Sequence, residues 1–295
     1  MSEETVTTRL LSWYDHSARD LPWRSDRVSP WGVLVSEVML QQTPVTRVVP
    51  VYEEWLQRWP SPASLAADSP GEAVRLWGRL GYPRRALRLH AAATACVDRH
   101  DGSVPDDVLA LRALPGVGEY TAAAVASFAF GQRHPVLDTN VRRVQARLFD
   151  GLEFEPPGAV TSSERARALR ALPADERAAT VSVAFMELGA LVCTARSPGC
   201  DGCPMRATCT WVLTGRPAWS GAPRRGQPYA GTDRQCRGRL LAVLREAPGA
   251  VPRTALDAVW QDAAQRERAL DGLVADGLVA PLPAEQFRLP QRALP

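Results

Sequence analysis

Apolar residues recur at helical spacing along most of this chain. The stretch LWGRLGYPRRALRLHAAATACVDRH keeps that period with breaks at Gly81 and Pro83. DVLALRALPGVGEYTAAAVASFAFG reads as helix, tight turn, helix. Strand-type alternation is absent from residues 1–212, which predicts a mainly α fold there. Residues 213–236 lose the pattern: TGRPAWSGAPRRGQPYAGTDRQC is rich in Gly, Pro and Ser and reads as a linker. Its basic residues Arg216, Arg224, Arg225 and Arg234 face one acid, Asp233, so it is either a solvated spacer or a segment that follows phosphates. Periodicity returns over 237–290. Leu240, Leu241 and Leu244 mark one helix, and Leu256, Val259 and Trp260 a second. Asp262 with Gln265 resembles a capping box that opens a third helix, carrying Leu270, Leu273 and Val274 inward. LVAPLPAEQFRLP reads as two short strands, so three helices and a hairpin predict a winged-helix-like unit; the alternative is a small helical bundle.

Composition narrows the chemistry. The 295 residues are 45% hydrophobic, enough for one large or two modest cores. No apolar run approaches the ~20 residues of a membrane helix, so a soluble, cytoplasmic protein is expected. Net charge is only +3, but all 35 basic side chains are arginine. Without a lysine amine, side-chain Schiff-base chemistry is closed to this sequence. Arginine remains suited to phosphate forks and base stacking.

Cys193, Cys200, Cys203 and Cys209 form C-x6-C-x2-C-x5-C. One C-x2-C hook with two outlying cysteines fits the corners of an iron–sulfur cube better than a zinc site built on paired hooks. Zinc and two disulfides are the alternatives; the isolation of Cys96 and Cys236 favours a reducing compartment over disulfides.

In LPGVGEYTA, Pro115 ends a helix while Gly116, Val117 and Gly118 allow a tight turn. The next helix then presents its free N–H groups to a phosphate, as a helix-hairpin-helix does; the alternative is an ordinary helix corner. Asp138 in VLDTNVRRV stands where a helix N-cap belongs, which would hold its carboxylate ionised. Arg142 and Arg143 follow on that helix and suit a DNA backbone. Glu37 shares WGVLVSEVML with only one other polar side chain, Ser36. It is either a buried acid with a raised pKa, fit for general acid work, or a residue on the wet face of an amphipathic helix.

Taken together these residues resemble the helix-hairpin-helix DNA glycosylases with an iron–sulfur cluster, and within them the MutY-type adenine glycosylases. LLSWYDHSARDLPWR, VSEVMLQQTPV, LGYPRRA, LPGVGEYTAAAVASFAFG, LDTNVRRV and MELGALVCTARSPGC occur in the family's order over residues 8–212. The resemblance implies a six-helix barrel module and a [4Fe–4S] module over 1–212, followed by the winged-helix-like unit. It implies a monomer that excises adenine from double-stranded DNA where it is mispaired with 8-oxoguanine or guanine, in the cytoplasm on the nucleoid. Glu37 would protonate the leaving adenine and Asp138 would stabilise the sugar cation. Tyr120 would assist, and Asn140 would orient the carboxylates or water. Gln41, Gln42 and Tyr82 would meet DNA, the last two as wedges, while Trp23 and Arg24 would lie near the adenine. Extrusion of the base is needed because its glycosidic bond is out of reach inside the stack. Relatives that also cut the strand carry lysine at the position of Tyr120, so a monofunctional enzyme is implied.

Two departures stand out. Family members often carry Glu or Gln where this sequence has Val183. Many also end in a larger Nudix-like domain that residues 237–290 do not match. The competing readings are a thymine or uracil glycosylase acting on G mispairs, and a non-catalytic iron–sulfur DNA-binding regulator.

Overall fold

The computed structural model describes residues 3–221 and 229–291. Its helices are α1 (Glu3–Ser17), α2 (Pro30–Leu40), α3 (Val45–Arg58), α4 (Pro62–Ala67), α5 (Pro70–Trp77), α6 (Arg84–Arg99), α7 (Val108–Arg112), α8 (Glu119–Phe130), α9 (Thr139–Gln145), α10 (Ser162–Arg170), α11 (Ala178–Leu191), α12 (Thr210–Leu213), α13 (Asp233–Glu246), α14 (Arg253–Asp257) and α15 (Ala263–Ala275). Three short strands, β1 (Val251–Pro252), β2 (Ala280–Leu282) and β3 (Gln286–Arg288), lie near the C-terminus. Among the described residues no helix is long and apolar enough to cross a membrane.

The chain forms two compact units. Unit one is Met1–Val33, Asp106–Arg112 and Gly118–Pro223; unit two is Leu34–Pro105, Ala113–Val117 and Arg224–Pro295. In unit one α11 packs against α1, α8 and α9. Their apolar faces build a core around Leu10, Val141, Leu148, Phe185 and Leu188, which the four-cysteine loop joins. Thr161 and Glu164 form a reciprocal capping box that starts α10.

In unit two α6 packs against α4 and α5. Trp55, Trp59 and Trp77 are fully buried, and Trp55 meets the other two edge to face. Ser61 and Ser69 cap α4 and α5 through their hydroxyls, each helix opening on a proline, the expected starting chemistry. The C-terminal elements run α13, β1, α14, α15, β2, β3, with sheet order β1-β3-β2, all antiparallel. That element and strand order is the one expected of a winged-helix-like unit. Leu240, Leu241, Leu244, Leu256, Leu270 and Leu273 are buried in it. Four details differ from expectation. α14 ends before Val259 and Trp260, and the two-residue strand β1 joins the hairpin. Asp262 caps α15, but the Gln265 side chain does not return to close a box; it accepts from Trp260 Nε1 and donates to the Gly231 carbonyl. α13 begins at Asp233, and Arg224 and Arg225 lie outside the described residues.

Within unit two the winged helix is docked by reciprocal arginine–carbonyl bonds. Arg75 donates to the carbonyls of Arg245 and Ala247, while Arg245 Nε donates to the Val74 carbonyl at 2.9 Å. Arg84 and Arg237 both pair with Asp276. Gly71 lets the segment after β3 lie close: a Cβ there would sit 2.4 Å from the Pro290 carbonyl oxygen.

Candidate active site

In unit one, Asp138 caps α9. Its Oδ1 accepts from the Val141 N–H at 2.7 Å and its Oδ2 from Asn140 Nδ2 at 3.2 Å. Asn140 is held in turn: Arg143 donates to its Oδ1 at 2.7 Å. The same guanidinium donates to the Gly189 carbonyl at 2.7 Å and the Cys193 carbonyl at 2.8 Å. A chain of hydrogen bonds therefore runs from the first cysteine of the loop to the Asp138 carboxylate. Burial is the largest influence on that carboxyl and pushes its pKa up. The Val141 N–H, Arg143 and Asn140 pull the other way without cancelling it. The capping geometry is the expected one, but its charge is held against burial rather than with it.

The sequence assigned Arg142 and Arg143 to the DNA backbone; both guanidinium groups are engaged within unit one. Arg142 reaches Glu164 at 2.7 Å and the carbonyls of Pro156 and Gly158, and Arg143 is buried. The α9 faces carrying them turn inward, where guanidinium forks need protein acceptors.

Tyr120, half-buried, lies in the first turn of α8, which follows the hairpin. Gly118 is the α8 N-cap in extended conformation, and its carbonyl accepts from Ala122 N–H at 2.9 Å. Val117 N–H closes the turn on the Leu114 carbonyl at 3.1 Å. Gly116 has φ +80°, and a Cβ there would lie 2.6 Å from the Arg88 Cβ, so both backbone angle and close packing require glycine.

Trp23 is buried and Arg24 sits beside it at the end of a single 3-10 turn. Arg24 Nη2 donates to Glu187 at 2.7 Å, and Arg19 forms a two-pronged pair with the same carboxylate at 2.8 Å for each prong. Glu187 is fully buried, yet these arginines hold its pKa down to about 2. Glu187 was not singled out from the sequence, though as a lone acid in VAFMELGAL it carried the same signal as Glu37. Val183, on the same helix, is half-buried and offers no polar atom.

In unit two, Glu37 is 4% exposed in α2 with buried neighbours from Trp31 to Met39, which excludes the wet-face reading. Beyond α2, Gln42 is exposed with φ +54° and Tyr82 is 51% exposed with φ +46°. Gln41, half-buried, accepts from Arg85 through its carbonyl.

None of the four loop cysteines is in a disulfide, and all share the apolar core of unit one. Cys203 lies within electrostatic range of the other three, and burial pushes its thiol up to about 11. Among the described residues no three His, Cys, Asp or Glu side chains converge as ligands of one ion. A cube with one thiolate per corner asks for no such convergence. The surroundings suit an anionic centre. Arg147 is 1% exposed, donates to Cys193 Sγ at 3.3 Å, and otherwise meets the carbonyls of Glu153, Thr194 and Ala195. These partners of Arg147 include no carboxylate, so its charge would favour an anionic group held by the loop thiolates.

The helical fold, the glycine hairpin and the capping aspartate at a helix start fit the helix-hairpin-helix class of DNA base-excision proteins. Residues 35–163 match the family model described as "HhH-GPD superfamily base excision DNA repair protein". The chain is 53% identical over 284 residues to the adenine DNA glycosylase of Mycobacterium tuberculosis, covering 96% of this chain and 93% of that one. It is 42% identical over 209 residues to the adenine DNA glycosylase of Homo sapiens, covering 68% of this chain and 38% of that one. A solved thermostable thymine-DNA glycosylase superposes with a TM-score of 0.66 at 26% identity, covering 72% of this chain and 97% of that one. The chain belongs to the adenine DNA glycosylase family.

Proposed function

We propose that this protein removes adenine from duplex DNA where it faces 8-oxoguanine or guanine, leaving an intact strand with an abasic site. The observation that carries the reading is the Asp138 carboxylate, fixed at the start of α9 by Val141, Asn140 and Arg143, in a chain so similar to a named adenine DNA glycosylase. Breaking a glycosidic bond builds positive charge on the sugar and negative charge on the leaving base. Asp138 meets the first demand: a fixed carboxylate stabilises the cation without reorganising. Glu37 meets the second by delivering a proton, for which its buried setting is suited. Tyr120 supports the attacking water, and Asn140 keeps the Asp138 carboxylate in place. With tyrosine there and no lysine in the sequence, no side-chain imine forms and the strand is not cut.

Gln42 and Tyr82 occupy the gap left by the extruded base, Trp23 and Arg24 line the adenine pocket, and the hairpin at Gly116–Gly118 anchors the phosphate backbone. Cys193, Cys200, Cys203 and Cys209 would hold a [4Fe–4S] cluster, which when bound cross-links the loop. The test is a panel of duplexes bearing single A, T or U opposite guanine or 8-oxoguanine. Strand breaks are expected only at A and only after alkali; cleavage at T or U supports the thymine/uracil reading instead.

A further inference from the structure

We propose that Arg85 is the positioning residue of the DNA wedge: one buried guanidinium locks the Gln42 turn and the Tyr82 turn into a single rigid element. The inference rests on the reading of Gln42 and Tyr82 as wedge residues. Both are non-glycine residues in left-handed backbone, with φ +54° and +46°. Such angles persist only where the surroundings hold them, and they cluster at functional sites. The Thr43 hydroxyl meets the Gln41 and Leu80 carbonyls, each at 3.2 Å, and Trp77 Nε1 donates to the Gly81 carbonyl at 2.9 Å, but the side chain with most bonds to both turns is Arg85. Arg85 Nη1 donates to the carbonyls of Val38, Met39 and Gln41 at 2.8, 3.0 and 2.7 Å. Its Nη2 donates to Thr43 Oγ1 at 3.0 Å and to the Gly81 carbonyl at 3.2 Å. These acceptors flank Gln42 on both sides and immediately precede Tyr82.

The guanidinium also lies 5.5 Å from the Tyr82 ring centroid and 5.2 Å from that of Trp77. Arg85 is only 6% exposed, and these hydrogen-bond partners include no carboxylate. Its charge faces the carbonyl end of α2, the negative pole of a helix. A structural ion pair would not need this arrangement; a clamp between two turns does. Lysine cannot replace it, because an ammonium lacks the planar fork that reaches acceptors on both turns. Side chains that enter a base stack are pushed back by it, and a wedge on two independent turns would yield. Arg85 makes the two turns move as one.

The experiment is a double-mutant cycle. Arg85→Lys is made in the full-length wild type and in a Gln42→Ala/Tyr82→Ala background. Base extrusion is followed by stopped-flow fluorescence of 2-aminopurine placed next to the target adenine opposite 8-oxoguanine, with single-turnover excision and thermal melting alongside. In the wild type, Arg85→Lys is expected to slow extrusion about tenfold. In the wedge-less background it is expected to have almost no further effect, the signature of residues acting as one unit. Equal losses in both backgrounds, or wild-type extrusion in Arg85→Lys, would overturn the proposal. Wild-type extrusion in Gln42→Ala/Tyr82→Ala would instead sink the wedge reading beneath it. If Arg85→Lys fails to fold, Thr43→Val removes one acceptor of the clamp and is expected to show the same pattern at smaller size.

Discussion

The Arg143 guanidinium donates to the side-chain oxygen of Asn140 at 2.7 Å, and so decides which way that amide faces. Asn140 is left with its NH2 directed at Asp138. The aspartate therefore accepts from a donor whose orientation is set from the cysteine loop, since Arg143 also holds the Cys193 carbonyl. A carboxylate pinned this way has little freedom to reorganise when a cation forms beside it.

Asp138→Asn and Glu37→Gln should each abolish excision while mispair binding persists. The first removes the charge that offsets the sugar cation; the second removes the proton for the leaving base. General acid catalysis alone is typically worth about 10²–10⁴-fold. Single-turnover rates near wild type in either variant would remove that residue from the mechanism.

The raised pKa of Asp138 has two consequences with opposite readouts. Excision needs the ionised form, so the acid limb of the rate should lie above the ordinary aspartate range. Arg143→Gln should move it higher still, because that guanidinium favours the charge. Stability runs the other way. A carboxyl that binds its proton more tightly when folded contributes most in acid, and the contribution fades as pH rises through the folded pKa. The unfolding free energy of wild type relative to Asp138→Asn should therefore fall between acid and neutral pH. A difference that rises over that range would contradict the buried setting.

Gly189 is the contact through which α11 and α9 meet at the site. A Cβ there would lie 2.7 Å from the Asn140 Cβ and 2.9 Å from its carbonyl oxygen. Gly189→Ala should displace Asn140 and slow excision about 10- to 100-fold, the rate equivalent of about 1–3 kcal/mol of overpacking. Gly199→Ala is the control, since its nearest neighbour beyond the adjacent residues is at 3.9 Å. Equal behaviour of the two variants would dissociate Asn140 from catalysis.

The hairpin glycines, the Asp138 cap and the four cysteines were legible because each is a local signal: a turn, a helix start, a spacing. The arginines that organise the site were not. With every basic residue an arginine, nothing in LGYPRRA marks Arg85 as buried and Arg84 as exposed. The difference comes from which face of α6 meets the end of α2. The partners of Arg143 were hidden for the same reason, since helix phase alone cannot say that its fork meets the Gly189 and Cys193 carbonyls. The strand β1 was invisible because two residues carry no period.

Truncation after Thr214 should do more than free a tethered module. It removes the carbonyl acceptors of Arg75 and the guanidinium of Arg245, which burial has driven down to about 10. Each lost bond to a charged group contributes about 1.5–3 kcal/mol. The truncated protein should melt at lower temperature than the full chain, and unit two should lose amide-exchange protection around α5. Unchanged melting would show that the winged helix is an independent attachment.

The most direct test is to identify the released base. One equivalent of protein is mixed with a duplex bearing a single adenine opposite 8-oxoguanine, and the products are separated before any alkali. Free adenine is expected, one per strand, together with an intact abasic strand, and Asp138→Asn should release none. Release of thymine from a G mispair with adenine left in place, or adenine release that survives Asp138→Asn, would contradict the assignment.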